Sequence, residues 1–221
     1  MFPIGDDNRD IQSAPVVTRV LVGLNVLVFV YELAIGRSLD RFIMAWGAIP
    51  YRITHGHDLY TLVSSMFVHA GFAHILGNML YLWVFGDNVE DRFGRVRFLI
   101  FYIVCGLAAG LAQVLLGPGS MVPSIGASGA ISGVLGAYIV MFRSNRVRVL
   151  WGYFVSEVPA WMVIGFWALQ QFIATYATIT TANAGESGGV AYAAHAGGFV
   201  AGILLALILG GTRRRTERYI A

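Results

Sequence analysis

Six apolar runs dominate the chain, at residues 16–36, 72–90, 97–116, 128–142, 159–178 and 191–210. Runs of about 20 apolar residues read as membrane spans. Only the fourth falls clearly short of that length. A chain so built has few folds open to it, because backbone polar groups in lipid must find partners within the protein. Helices do this unaided. The expectation is an all-α membrane protein, a bundle of six transmembrane helices spanning 16–210. Residues 1–15 read as a polar tail, 37–71 as an interfacial loop and 211–221 as a basic tail. Only 12% of the 221 residues are charged, against about 25% in soluble domains. The first apolar run is too long for a cleaved signal peptide. The single cysteine, Cys105, excludes an internal disulfide and a cysteine-rich metal site.

The charges between the runs set an orientation. Every basic side chain other than histidine is arginine. With six spans and an inward N-terminus, one side of the membrane receives Arg9, Arg19, Arg92, Arg95, Arg97, Arg143, Arg146, Arg148 and the run from Arg213 to Arg218. The other side receives only Arg37, Arg41 and Arg52, all within 37–71. The positive-inside rule then puts both termini in the cytoplasm. The C-terminal arginines read as a topology anchor rather than a nucleic-acid site. The all-arginine bias and short tails fit a bacterial inner membrane.

The segment 37–71 is too apolar for a plain linker and too interrupted to span. Trp46, Tyr51, Tyr60, Met66 and Phe67 suit the membrane interface. His55, His57 and Asp58 sit there without a further ligand nearby and read as surface groups, not a metal site.

Polar side chains inside membrane helices are costly, so each invites a functional reading. Span two carries His74 and Asn78, four residues apart and hence on one helical face. Span four begins at Ser128, and span six carries His195. All three spans run towards the arginine-rich side, which allows a depth comparison. At 1.5 Å per residue, Ser128 and Asn78 lie about 21–22 Å from the first arginine that follows them, and His74 and His195 about 27 Å. The four fall in one layer.

Lateral packing brings two of them closer. Span four shows Gly129, Gly133 and Ala137 at four-residue spacing, and span six shows Ala194, Gly198, Gly202 and Ala206. Such stripes let helix backbones approach. If they face each other, Ser128 and His195 meet at the top of the contact. Packing alone explains the small residues but gains nothing from an imidazole. A serine beside a histidine can act as a nucleophile activated by a base. No Asp or Glu lies on span six to orient His195, so a dyad is expected. Asn78, His74 and the Ser128 backbone N–H could stabilise an oxyanion, aided by the start of a helix at Ser128. The short fourth span should open into a wet cavity, and hydrolysis needs water.

These residues carry a resemblance. His69-x-x-x-x-His74-x-x-x-Asn78, Gly126-x-Ser128-Gly129, Ala194-His195-x-x-Gly198-x-x-x-Gly202 and Gly86-x-x-x-Glu90-x-x-x-Gly94 occur in order on the second, fourth, sixth and second spans. Together they resemble the rhomboid intramembrane serine proteases, over residues 20 to 210. The resemblance implies a rhomboid-like six-helix bundle with a Ser128–His195 dyad and an oxyanion site at Asn78 and His74. It implies cleavage of single-pass membrane proteins in the lipid bilayer, with neither metal nor organic cofactor. It also implies that span five, with Phe166 and Trp167, borders the lateral entry for substrate. No pattern speaks to an oligomeric state. Two positions depart from the family: Tyr60-Thr61 stands where many members carry Trp-Arg, and Ser132 stands where some carry an aromatic that packs on the histidine. Orientation of His195 then falls to another group, with Tyr138 and Phe199 as candidates. Glu90 is expected to bond a neighbouring helix end, His69 to order the loop or cavity, and Gln170 and Gln171 to bond between helices. The competing expectation is a non-catalytic rhomboid-like protein that binds transmembrane clients. A transporter would show repeated broken helices, and a zinc protease His-Glu-x-x-His; the sequence has neither.

Overall fold

The computed structural model describes residues 2–180 and 191–210. The basic tail at 211–221 lies outside the described residues, as does 181–190. The described chain is predominantly helical. The helices are α1 (Val16–Ile35), α2 (Leu39–Trp46), α3 (Pro50–Thr54), α4 (Thr61–Ser64), α5 (Phe72–Phe93), α6 (Arg95–Leu116), α7 (Ser128–Met141), α8 (Ala160–Thr180) and α9 (Tyr192–Ile208). Val16–Trp46, Arg95–Leu116 and Ala160–Thr180 are long and apolar enough to cross a membrane. The segment Thr61–Phe67 and α5 add a fourth span if counted together, although they meet at 95°. Helices α7 and α9 are apolar but have only 14 and 17 residues.

The centre of the bundle is α7. Ten consecutive residues, Gly129 to Tyr138, are buried, so this helix has protein on every side. Its small residues make that possible. A Cβ on Gly198 or Gly202 would overlap the backbone of Gly129 or Gly133, and one on Gly136 the Phe199 carbonyl. Thus α7 and α9 touch backbone to backbone, as small-residue stripes allow. Helix α8 differs. Its buried residues (Ala160, Val163, Ile164, Ala168, Gln171 and Thr175) form a single stripe, flanked by Trp167 and Phe172, which pack on α9; much of the remaining surface is exposed.

Polar caps at one end of the bundle fix its register. The Glu90 carboxylate accepts hydrogen bonds from the Val17 and Thr18 backbone N–H groups at 2.9 and 2.7 Å and from Thr18 Oγ1 at 2.8 Å. These amides open α1 and have no partner within the helix, and a carboxylate there also suits the helix dipole. Gly94 follows with φ +79°, the single residue that turns α5 into α6. A glycine is required for that reversal. The segment of 37–71 read as an interfacial loop folds into short helices. Tyr60 donates its hydroxyl to the Ala45 carbonyl at 2.9 Å and stacks edge-on against Trp46, while Thr61 Oγ1 donates to the Asp58 carbonyl. The departing Tyr60-Thr61 pair thus anchors this segment by its own contacts. His55 Nδ1–H donates locally to the Tyr51 carbonyl at 2.7 Å, and no metal-ligand cluster forms among the described residues.

One feature departs from the all-α expectation. Strands β1 (Phe2–Asp6), β2 (Arg146–Trp151) and β3 (Phe154–Pro159) form an antiparallel sheet in the order β1-β2-β3. The segment 1–15 is therefore more than a polar tail. In β2 the alternation of Arg146, Val147, Arg148 and Val149 puts both valines in the core and both arginines outside, the period-two pattern of a half-buried strand. Asp6 ends β1 among polar groups: the Tyr138 hydroxyl donates to its Oδ2 at 2.6 Å and the Asn88 amide at 2.7 Å. Burial pushes the Asp6 carboxyl up from 3.8 to about 7, against the Tyr138 hydrogen bond, which acts the other way; Asp87 and Asp7 add to the rise.

Candidate active site

Ser128 is the first residue of α7, and His195 lies in the first turn of α9. The close contact of these helices brings the two side chains together. The Ser128 hydroxyl and His195 Nε2 are 2.7 Å apart, the separation of a good hydrogen bond. They face a cavity of about 490 Å³ whose polar lining includes His74, Asn78 and Tyr81, with Trp167 on one wall.

His74 and Asn78 occupy successive turns of α5. Gly126, just before the serine, lies against both. Its φ is +110°, and a Cβ there would stand 2.5 Å from His74 Nε2 and 3.6 Å from Asn78 Nδ2. Glycine therefore meets two demands at once, a left-handed backbone and a close approach. The Asn78 amide nitrogen is buried and has no hydrogen-bond partner among the described residues. A buried donor without a partner is costly, and one beside a nucleophile suits a negative charge that appears only during reaction. The four residues that shared one estimated depth thus line one cavity.

His69 sits behind His74. Its backbone N–H donates to Glu32, its Nδ1–H donates to the Phe67 carbonyl at 3.2 Å, and its ring centroid is 5.0 Å from that of His74. This fits a role in ordering the approach to α5.

The orientation of His195 differs from both sequence candidates. Tyr138 is committed to Asp6 and packs on Phe85. Phe199 meets Trp167 and Phe172. Ser132, where an aromatic was missing, donates its hydroxyl back to the Ser128 carbonyl at 2.6 Å. The partner of His195 Nδ1 is instead Gln171 Oε1 on α8, at 2.8 Å. The sequence reading had Gln170 and Gln171 as generic interhelical groups. Gln170 is exposed, whereas Gln171 belongs to the buried stripe. The signal that separates them is phase, since Gln171 continues the apolar spacing of Ile164 and Ala168.

Chemically, the arrangement offers a hydroxyl, a base that can take its proton, an unpaired donor at Asn78 across the cavity, and a cavity of about 490 Å³. These are the parts of acyl transfer.

Comparison with known proteins agrees. The family model for the rhomboid domain matches residues 56–212. Rhomboid protease GluP of Bacillus subtilis is 34% identical over 137 residues, 62% of this chain and 26% of that protein. The mitochondrial Rhomboid protein 1 of Saccharomyces cerevisiae is 31% identical over 192 residues, 83% of this chain and 50% of its own length. Rhomboid protease AarA of Providencia stuartii is 28% identical over 225 residues, 93% of this chain and 76% of its own. The chain spans from about a quarter to half the length of several such relatives. With a match over more than two thirds of its residues, this chain belongs to the rhomboid family.

Proposed function

We propose that the protein is an intramembrane serine endopeptidase that hydrolyses peptide bonds in or near the transmembrane segments of single-pass membrane proteins. The observation that carries this reading is the Ser128–His195 pair at 2.7 Å, facing a cavity lined by His74 and Asn78. Ser128 Oγ attacks the scissile carbonyl carbon while its proton passes to His195 Nε2. The carbonyl oxygen, now negative, is held by the Asn78 amide, the His74 ring and the Ser128 backbone N–H. Collapse breaks the C–N bond, and His195 returns the proton to the departing amine. Water then repeats the sequence on the acyl-enzyme, with His195 as base, and frees the second product and the serine.

The same reading extends to topology. The N-terminal segment, the end of α5 and the α7–α8 connection meet at one end of the bundle, through the Asp91–Ser13, Asn8–Asp87 and β1–β2 contacts. This gathers Arg9, Arg19, Arg92, Arg95, Arg97, Arg143, Arg146 and Arg148 towards the end away from the dyad. With six spans, the positive-inside rule then puts both termini in the cytoplasm, and the all-arginine bias fits a bacterial inner membrane.

The test is cleavage of a single-pass reporter in proteoliposomes by the wild type, Ser128→Ala and His195→Ala. Only the wild type should cleave. Equal processing by all three would sink the protease reading in favour of a client-binding membrane protein. Labelling by a fluorophosphonate, lost in Ser128→Ala, identifies the nucleophile directly.

A further inference from the structure

A neutral imidazole has one N–H and one lone pair, and it can serve Ser128 as a base only if the lone pair is on Nε2. Something must therefore hold the hydrogen on Nδ1. In this chain that group is on α8, neither on the serine helix nor on the histidine helix. Gln171 Oε1 stands 2.8 Å from His195 Nδ1, while Gln171 Nε2–H donates to the Trp167 carbonyl at 3.3 Å. The second bond fixes which way the amide points, because a carbonyl can only accept. The amide oxygen then faces Nδ1 and calls for its hydrogen. A further bond, Thr175 Oγ1 to the Gln171 carbonyl at 2.8 Å, ties the next turn of the helix to it. Trp167, one turn earlier, lies against the imidazole with ring centroids 6.0 Å apart.

We propose that Gln171 is a positioning residue for the proposed proteolysis: it selects the His195 tautomer and ring angle that Ser128 needs, and makes the dyad's readiness depend on where α8 sits. The inference rests on the protease reading above. The amide takes the orienting place that a carboxylate fills in a serine triad, without bringing a charge into the bundle. It holds the Nδ1 hydrogen both in the resting imidazole and in the imidazolium formed when Ser128 gives up its proton. Helix α8 docks on α9 and α7 through one buried stripe. A displacement that stretches the Nδ1···Oε1 separation beyond about 3.5 Å breaks the bond, and the ring is then free to turn from Ser128. Opening on the α8 side to admit a substrate and arming the base are thereby linked events, and closure of α8 restores both the wall and the tautomer.

The test uses the full chain in proteoliposomes, with two readouts: reporter cleavage and the rate of Ser128 labelling by a small fluorophosphonate, which needs no helix-sized entry. Gln171→Leu should slow both by at least about 10-fold, the rate equivalent of one neutral hydrogen bond. The exposed Gln170→Leu should change neither. Gln171→Glu restores an acceptor and should recover labelling. Its carboxylate also favours the imidazolium, so the acid limb of the pH–rate profile should move to higher pH. His74 and Tyr81 on the cavity wall and Tyr192 near the His195 ring are the other titratable groups nearby, and all are common to both proteins compared. The proposal is overturned by wild-type labelling in Gln171→Leu, or by equally slow labelling in the Leu and Glu variants with an unmoved acid limb. If Gln171→Leu does not fold, the limb of Gln171→Glu decides alone. Cleavage that survives Ser128→Ala is a separate result: it removes the protease reading itself.

Discussion

Gly202→Ala tests whether the α7–α9 contact holds the dyad. Gly202 is seven residues beyond His195, about 10 Å along α9, so the new methyl touches neither reacting group. It would meet the carbonyl carbon and Cα of Gly133 at 2.6 Å and overlap the carbonyl oxygen. Carbon atoms pack at about 3.5–4.0 Å, so the helices must part by about 1 Å. That is about twice the slack in the Ser128–His195 hydrogen bond, which stands at 2.7 Å against an ordinary upper limit of about 3.2 Å. Overpacking of this kind costs about 1–3 kcal/mol, and a 1 Å misplacement near the chemistry costs about 100-fold in rate. The expected result is a lower melting temperature in detergent and reporter cleavage per folded molecule reduced about 100-fold, with fluorophosphonate labelling slowed in parallel. Gly23→Ala on α1, where a Cβ meets nothing within 4 Å, should leave cleavage unchanged. A Gly202→Ala protein that melts and cleaves like the wild type would refute the reasoning, since the two backbones would then have room the geometry denies them.

Further outcomes follow from other parts of the structure. Asn78→Ala should lower cleavage by about 100- to 1,000-fold if its amide meets the oxyanion; a loss under about threefold in steady-state kinetics would remove it from that role. Replacing Phe166, exposed on the outer face of α8, by valine should raise reporter cleavage several-fold if substrates enter past it; unchanged rates would count against that route. Asp6 predicts a pH dependence of stability. Its carboxyl ionises near 3.8 when unfolded and near 7 in the fold, so between these values only the folded state keeps the proton. The contribution is fully present below pH 3.8 and is lost as pH rises to about 7, by at most about 4 kcal/mol. Asp6→Asn should melt with a flatter pH profile over this range, and an identical slope in both proteins would reject the assignment.

The order in which features became legible has physical causes. The helical runs were plain because lipid forces long apolar stretches, and the dyad was plain because imidazole is conspicuous among Gly and Ala. Glu90 was readable as a helix cap because a carboxylate at the end of a span finds unpaired N–H groups where a neighbouring helix begins. The sheet escaped notice although Arg146-Val147-Arg148-Val149 alternates openly: the arginines were read as markers of membrane side, and β1 has no partner until the chain is folded. Gln171 escaped for a related reason. Its neighbour Gln170 has the same chemistry, and only helical phase, settled by packing of α8 on α9, decides which of the two reaches His195. Tyr138, a candidate for orienting His195, shares α7 with Ser128 but lies ten residues on, so its hydroxyl reaches Asp6 at the far end of the helix.

The backbone contact between α7 and α9 has a consequence for how such a protein comes into being. Ser128 and His195 are 67 residues apart in sequence, and nothing local brings them together. During synthesis the serine enters the membrane well before the histidine has been made, so an unfinished chain carries a nucleophile with no base. Even with every helix inserted, the hydroxyl gains its partner only when α9 slides into a slot beside α7 with no spare volume. For the serine endopeptidase proposed above, assembly itself is thus the safeguard: it becomes dangerous to neighbouring transmembrane helices only once its own are fully docked.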